Sequence, residues 1–229
     1  MMRHTLFTAA VVLFTGAVTP SIPAGAGMDP AAFINNLGNQ LQAVTSSTSP
    51  QQRLAGFHQL FREDFDVPGL GRFVLGRFWR IFTPWEQQEF LGLFENYVVL
   101  TYSEKLSDYT EDGGRSSVTG CRPDPDGAIV SSKIIRGSGA YQPIRVDWRL
   151  TVQNGSYKIS DIIIDGLSMA ANGRSQLEGV VERNGGRPQA ILAVMRQQIA
   201  GASLPLTRRS RTQTRAAAVR ERRRRWPAR

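Results

Sequence analysis

The sequence predicts an α+β fold, in which helices pack on one face of a twisted antiparallel sheet of about four strands. Between residues 29 and 109, apolar residues recur every three or four positions, which is the spacing of amphipathic helices. Between residues 115 and 164, short runs of alternating apolar and polar residues are separated by glycine and proline clusters, as in strands and turns. Helical spacing then returns up to residue 200. Such segregation of helices and strands along the chain is typical of the α+β class.

The first half contains three predicted helices and a region of turns. Asp29-Pro30 marks the start of the first helix, and the second helix covers about residues 51–63. Pro68 and the glycines at positions 69, 71 and 76 then predict short turns up to residue 82. Thr83-Pro84 starts a long third helix to about residue 109, because Thr83 supplies a cap oxygen and proline suits the first position. Apolar residues lie on two sides of this helix, so it needs a second cover besides the core.

The second half begins with strands, and the third of them has the clearest pattern. Val146, Trp148 and Leu150 alternate with polar residues, which indicates one buried face and one solvated face. Asn154-Gly155 follows and predicts a type I′ hairpin turn, because both residues tolerate the positive φ that this turn requires. The predicted strands are residues 115–122, 128–136, 142–152 and 157–164, and the helices that follow are residues 168–183 and 188–200.

The two ends of the chain differ in composition from the middle. Residues 1–26 have a basic start, an apolar stretch and a small-residue site at Ala24-Gly25-Ala26, which predicts a cleaved signal peptide and export. Residues 208–229 contain ten arginines and one glutamate, so this predicted disordered tail accounts for the whole net charge of +9. The rest of the chain, residues 1–207, holds 18 basic and 18 acidic residues, so its net charge is zero. The tail either extends into solvent without a specific role or binds an anionic membrane surface.

Two segments resemble the MlaC family of periplasmic phospholipid carriers. In the family, a strand of the form W-K-V-x-D-V-x-V-E-G-V-S leads into a helix that reads N-Y-R-S-Q-F. The residues in step with that pattern are Lys158, Asp161, Asp165, Gly166, Ser168, Asn172, Arg174, Ser175 and Gln176, whereas Gly173 and Leu177 stand where the family has Tyr and Phe. Upstream, L-G-R-F-W-R from Leu75, then Thr83-Pro84, Phe90, Phe94 and Thr101-Tyr102-Ser103 resemble a second family segment. The resemblance covers roughly residues 29–200.

The resemblance implies a non-enzymatic, monomeric carrier in the periplasm that needs no cofactor. Its acyl-chain cargo would lie in an apolar cavity between the sheet and the helices. The implied partners are a phospholipid, an inner-membrane ABC transporter with an MCE-type complex, and an outer-membrane lipoprotein complex, but not nucleic acid. Hopanoid-associated relatives of the family make a hopanoid cargo the closest alternative. The predicted lipid-binding residues are Phe78, Trp79, Phe94, Tyr97, Val98, Val146, Trp148 and Leu150.

The residue types needed for catalysis or metal binding are sparse. His4 belongs to the predicted signal peptide, so His58 is the one histidine of the mature chain, and Cys121 is the one cysteine. A nucleophilic triad or a zinc site therefore has few residues to use, and no intramolecular disulfide is possible. Two other classes stay open on the sequence: a small-molecule enzyme on a cone-shaped α+β fold, and a cell-envelope interaction protein with a solid core.

Overall fold

The computed structural model describes residues 27–111, 114–135 and 142–201, with only the backbone described for residues 104–111. The predicted signal peptide, residues 1–26, and the predicted arginine-rich tail, residues 208–229, lie outside this part. The predicted domain of residues 27–207 is described as far as residue 201. The stretch between the second and third predicted strands, residues 137–141, also lies outside it.

Six α-helices and a short 3-10 turn are present in the described part. Five helices are preceded by a residue whose side chain accepts a hydrogen bond from the backbone N–H three residues later; these caps are Asp29, Ser49, Asp66, Thr83 and Ser168. The helices are α1 (Pro30–Thr45), α2 (Pro50–Asp64), α3 (Val67–Leu75), α4 (Pro84–Glu111), α5 (Met169–Arg183) and α6 (190–201), with the 3-10 turn at Gly76–Arg80 between α3 and α4.

The prediction of short turns between residues 68 and 82 was wrong for α3. Asp66 caps this helix by accepting a hydrogen bond from the Gly69 N–H at 3.0 Å, and Pro68 lies in the first turn, where its missing N–H costs nothing. Gly71 is buried against α4, and an added Cβ there would lie 2.4 Å from the Leu91 side chain. The glycine therefore serves close helix packing, and tertiary contacts outweigh its low helix propensity.

The sheet is an antiparallel meander of five strands in the order β1-β2-β3-β4-β5. The predicted four strands are confirmed, and the fifth is a two-residue strand too short to leave a periodic pattern. The strands are β1 (Arg115–Asp124), β2 (Gly127–Ile135), β3 (Ile144–Gln153), β4 (Ser156–Ile164) and β5 (Leu167–Ser168). The predicted hairpin is also confirmed, since Asn154 and Gly155 have φ values of 50° and 75°. Asp165 and Gly166 form a second such turn, with φ values of 48° and 85°.

Helices cover one face of the sheet, as the α+β class requires. α1 contacts β1 and β2, while α2, α3 and α5 contact β4. α4 packs on α1, α2 and α3, so it forms an outer layer over the helices that lie on the sheet. Its apolar residues serve a single core, because Phe90 and Phe94 are buried there while Leu91, Leu93 and Tyr97 pack at its margins.

Candidate functional site

The helices enclose an aromatic-rich core, here called the helical cluster. Phe90 of α4 stacks on Phe94 at a centroid distance of 5.9 Å and meets Phe82 edge-on at 6.4 Å. Phe61 of α2 reaches Phe94 at 6.3 Å. The buried members of the cluster are Phe57, Phe61, Leu70, Val74, Leu75, Phe78, Phe82, Phe90, Phe94, Val99, Ala170, Val181, Ile191, Leu192 and Met195.

A second core, here called the sheet cluster, lies between the sheet and the first two helices. Leu150 of β3 and Ile159 of β4 are opposite each other in register, and both are fully buried. Ile34 and Leu37 of α1 pack onto them. The buried members are Ile34, Leu37, Leu60, Val130, Leu150, Tyr157 and Ile159.

The eight predicted lipid-binding residues are divided between these two cores. Phe78 and Phe94 are buried in the helical cluster, and Trp79, Tyr97 and Val98 pack at its margin. Leu150 is buried in the sheet cluster and Trp148 packs at its margin. Val146 is buried on β3 but belongs to neither cluster. Sequence alone did not indicate this division, and a joint role in lipid binding stays a prediction.

α2 separates the two cores and also links them. Its Phe57 and Phe61 point into the helical cluster, whereas its Leu60 points into the sheet cluster. Three partly buried residues contact both clusters: Leu41, Val44 and Phe65. The backbone of Phe65 also bridges to Ile159, so the end of α2 is tied to the sheet at this junction.

One polar contact fixes the sheet side of the interior. Trp148 donates an indole N–H hydrogen bond to Ser132 Oγ at 2.9 Å, and Ser132 donates to the Val146 carbonyl oxygen at 3.3 Å. Ser132 is fully buried, so both of its hydrogen-bonding roles are used within the protein. The indole is thereby oriented while its ring packs at the edge of the sheet cluster.

Two residues of the C-terminal MlaC-like segment, Asp161 and Ser168, hold α5 to β4. Asp161 is buried, and it accepts hydrogen bonds from Ser168 Oγ at 2.6 Å and from the Ala170 N–H at 3.1 Å. Ser168 in turn accepts from the Ala171 N–H at 3.0 Å. A carboxylate at the start of a helix also interacts favourably with the helix dipole. The arrangement is a structural anchor.

The two resembling segments meet at Arg174. Its guanidinium donates to the Phe73 carbonyl oxygen at 2.8 Å through Nε, and its Cζ lies 3.9 Å from the centroid of the Phe73 ring. Gly76 is close by, with a φ of 57°, and an added Cβ there would lie 3.2 Å from Arg174 Nε. A residue with a side chain would be strained at Gly76 and would crowd the arginine.

The family is decided by sequence comparison. The family model described as MlaC protein matches residues 32–197, which is most of the chain. The chain belongs to the MlaC family. The matched MlaC span starts within α1 and ends within α6, so it includes both clusters and all five strands. Gly173, where the resemblance predicts Tyr, lies against α3, with the side chain of Val74 at 3.4 Å from the position of an added Cβ.

A solved structure has the same fold. It is a phospholipid-binding protein from Ralstonia solanacearum, determined in complex with a phospholipid, and it is 22% identical to this chain. The match covers 77% of this chain and 99% of the other, with a TM-score of 0.65. At this identity the likeness concerns the fold, which is the same arrangement of helices on a meander sheet.

The candidate reactive groups among the described residues are His58 and Cys121. His58 Nδ1 lies 3.0 Å from Glu95 Oε1, which also accepts from Arg62 Nε at 2.7 Å, so α2 and α4 are joined there. Partial burial, and then the negative charge of Asp29, raise the pKa of the Cys121 thiol, which lowers its nucleophilicity at neutral pH. Among the described residues, no group of three or more His, Cys, Asp and Glu side chains is arranged to hold a metal ion.

Two carboxyl groups have opposite pKa shifts. Burial raises the pKa of Asp64, although the positive charge of Lys158 lowers it in part, and Asp64 Oδ2 is buried without a hydrogen-bond partner. Burial would also raise the pKa of Asp147, but hydrogen bonds from Ser131 and Arg145 outweigh it and keep that pKa below its ordinary value. Both groups lie at structural positions, at the end of α2 and within β3.

Sequence reasoning missed a set of exposed apolar side chains near the 3-10 turn. Trp85 is 78% exposed and Ile81 is 56% exposed, although both lie among core residues in the sequence. Phe73 is also exposed beneath Arg174. No helix in the described part of the chain is both long enough and apolar enough to cross a membrane.

Proposed function

We propose that this protein is a periplasmic carrier that binds a phospholipid by its acyl chains. The observation that carries the proposal is membership of the MlaC family over residues 32–197. The related fold of the phospholipid-binding protein from Ralstonia solanacearum, which was solved with a phospholipid, supports the choice of cargo. The bound phospholipid is cargo, and no cofactor or catalytic step is part of the proposal.

A soluble carrier has to enclose most of the apolar surface of its cargo. Each methylene group removed from water contributes about 0.8 kcal/mol, so two exposed acyl chains would cost well over about 10 kcal/mol. The two clusters supply apolar surface of this kind on both sides of α2. The acyl chains are proposed to lie along the junction at Leu41, Val44 and Phe65, where the clusters meet.

The predicted lipid-binding residues remain the candidates for this contact. On the helix side they are Phe78, Trp79, Phe94, Tyr97 and Val98, and on the sheet side they are Val146, Trp148 and Leu150. Acyl chains at the junction would touch the first group through α4 and the 3-10 turn and the second through β3. Specificity for the headgroup is proposed to be weak, because burial of the acyl chains supplies most of the binding free energy.

The decisive experiment is native mass spectrometry of the protein purified from cells. A bound phospholipid, identified by its mass after release, is the expected result. Val98→Phe and Val146→Phe each add a ring to the interior from opposite sides, so both variants should lose bound lipid. Ile129→Phe is the matched control, because Ile129 is equally buried but lies opposite Arg149 on the other face of the sheet.

Folding of each variant is checked by near-ultraviolet circular dichroism before its lipid content is compared. Full occupancy in folded Val98→Phe and Val146→Phe proteins would remove those residues from the site. A protein that is always empty would overturn the carrier proposal and favour an enzyme or a solid-core interaction protein. A bound hopanoid would keep the carrier and change its cargo.

The wider role follows from the same family membership. We propose that residues 1–26 direct export, that residues 27–207 form the lipid-binding domain, and that the carrier moves lipid between the outer membrane and an inner-membrane ABC transporter. Exchange of a labelled phospholipid between the purified protein and the solubilised transporter complex tests the last step. Lack of exchange with any such complex would contradict it, whatever the lipid content of the carrier.

A further inference from the structure

The segment from α3 to the start of α4 presents an unusual surface. Trp85 and Ile81 are the most exposed large apolar residues of this segment, at 78% and 56%. They stand at the two ends of the turn that joins the 3-10 turn to α4. Arg72, Arg77 and Arg80 from the same segment are exposed as well. These five residues are called the docking surface below.

The positive charge of the docking surface is not neutralised. No Asp or Glu occurs between Asp66 and Glu86 in the sequence. Within the described residues, none of the three arginines forms an ion pair, whereas four other arginines pair with carboxylates: Arg62, Arg145, Arg149 and Arg196. Arg72 and Arg77 lie over the Trp79 and Phe78 rings at 5.2 and 5.0 Å, which orients their guanidinium groups without cancelling the charge.

The acidic residue that follows Trp85 in the sequence, Glu86, is already engaged at the start of α4. Glu86 Oε2 accepts hydrogen bonds from the Thr83 N–H at 2.8 Å and from Thr83 Oγ1 at 3.0 Å, and Thr83 Oγ1 accepts from the Glu86 N–H at 3.3 Å. This is a capping box, and with Pro84 it fixes the backbone on both sides of Trp85. The indole is therefore held outward by a rigid turn.

Exposed tryptophan and an aliphatic residue, flanked by uncompensated arginines, match the chemistry of an anionic membrane interface. The indole ring favours the headgroup level of a bilayer, and arginine is attracted to anionic lipid phosphates. We propose that the docking surface places this protein on the surface of an anionic phospholipid bilayer, with Ile81 and Trp85 in the interface. The reason for docking rests on the proposed function, because Phe78 and Trp79 lie on the same 3-10 turn.

The test measures binding of the mature full-length chain to sedimented vesicles. The vesicles contain phosphatidylcholine alone or phosphatidylcholine with phosphatidylglycerol. The parent protein should bind the phosphatidylglycerol vesicles, and Ile81→Ser with Trp85→Ser should lower its partition coefficient by about tenfold, since two large apolar side chains no longer leave water. Arg80→Gln should weaken binding less, and only at low salt, where charges are not screened.

Leu167→Ser is the matched control, because Leu167 is 60% exposed but lies on the β4–β5 hairpin, outside the segment from α3 to the start of α4. The control should bind like the parent. All variants keep residues 208–229, so any attraction from the arginine-rich tail is the same in each. Unchanged binding of the Ile81→Ser, Trp85→Ser protein, or an equal loss in Leu167→Ser, would overturn the proposal.

Native mass spectrometry of the same variants separates this proposal from the carrier function. The Ile81→Ser, Trp85→Ser protein should retain the lipid content of the parent, because neither residue belongs to the proposed lipid-binding set. If the parent carries lipid but its vesicle binding does not depend on Ile81 and Trp85, docking fails and the carrier function stands. If the parent binds vesicles through them but is always empty, docking stands and the carrier function fails.

Discussion

Replacing Asp161 with alanine should destabilise the protein by about 2 to 4 kcal/mol. The side chain is 6% exposed and accepts hydrogen bonds from the Ala170 N–H and the Ser168 hydroxyl. The Ala170 N–H is buried, so losing its partner costs about 1 to 3 kcal/mol. Ser168 is only partly buried, and its hydroxyl turns to water at a smaller cost. Loss of the charge at the start of α5 adds a few tenths of a kcal/mol or more.

Urea unfolding measures this loss, provided that the slope of free energy against urea is unchanged. Asp124→Ala is the control, because its ion pair with Arg149 is long, at 3.6 Å, and the Arg149 side chain is 45% exposed, so the loss should be less than about 1 kcal/mol. Combining Asp161→Ala with Ser168→Ala should give a coupling energy of about 0.5 to 3 kcal/mol. A loss below about 1 kcal/mol for Asp161→Ala would refute the anchor.

Three further predictions concern single positions. Asp64→Asn should raise the free energy of unfolding at neutral pH. The pKa of Asp64 is raised in the folded state, so ionisation of its carboxyl group destabilises the fold increasingly as pH rises above the ordinary value of 3.8. Denaturation at pH 3 should show no gain, and a gain at every pH would contradict this cause. Gly127→Ala should lower the stability to thermal unfolding by about 1 to 3 kcal/mol, since the added Cβ would lie 2.4 Å from the Leu150 carbonyl oxygen. Gly120→Ala is the control, because an added Cβ there meets open space, and it should change the stability by less than about 0.5 kcal/mol. Gly76→Ala should lower the free energy of unfolding in urea by about 1 to 3 kcal/mol, because alanine is strained at a φ of 57° and a ψ of −128°. An unchanged free energy would show that the turn relaxes.

Local signals were the most dependable part of the sequence. Asn154-Gly155 predicted its turn type, and Thr83-Pro84 predicted the start of α4, because both depend on the backbone preferences and hydrogen bonds of a few adjacent residues. α3 was missed for the opposite reason. Gly71 disfavours a helix locally, and its packing against Leu91, twenty residues away, compensates.

The candidate site shows the limit of periodicity. The alternation of Val146, Trp148 and Leu150 identified an apolar face of β3, and the structure buries Val146 and Leu150. The pattern did not indicate which helix covers that face. α1 and α2 do, while α4 with Phe94 and Val98 packs outside α2. An apolar strand face has to pack against another element, but any amphipathic helix could fill that role. Which helix packs there therefore depends on the arrangement of the whole fold.

Periodicity, turn chemistry and short motifs were enough to predict the α+β class, the strand meander and the family from the amino-acid sequence. Tertiary structure alone decided that the interior has two cores joined at Leu41, Val44 and Phe65, and that Asp161 anchors α5. It also decided that Trp85 is exposed, although Phe82 and Phe90 on either side of it in the sequence are buried. Hydrophobicity states how much a side chain gains from burial, but only the positions of distant elements decide whether that side chain is covered.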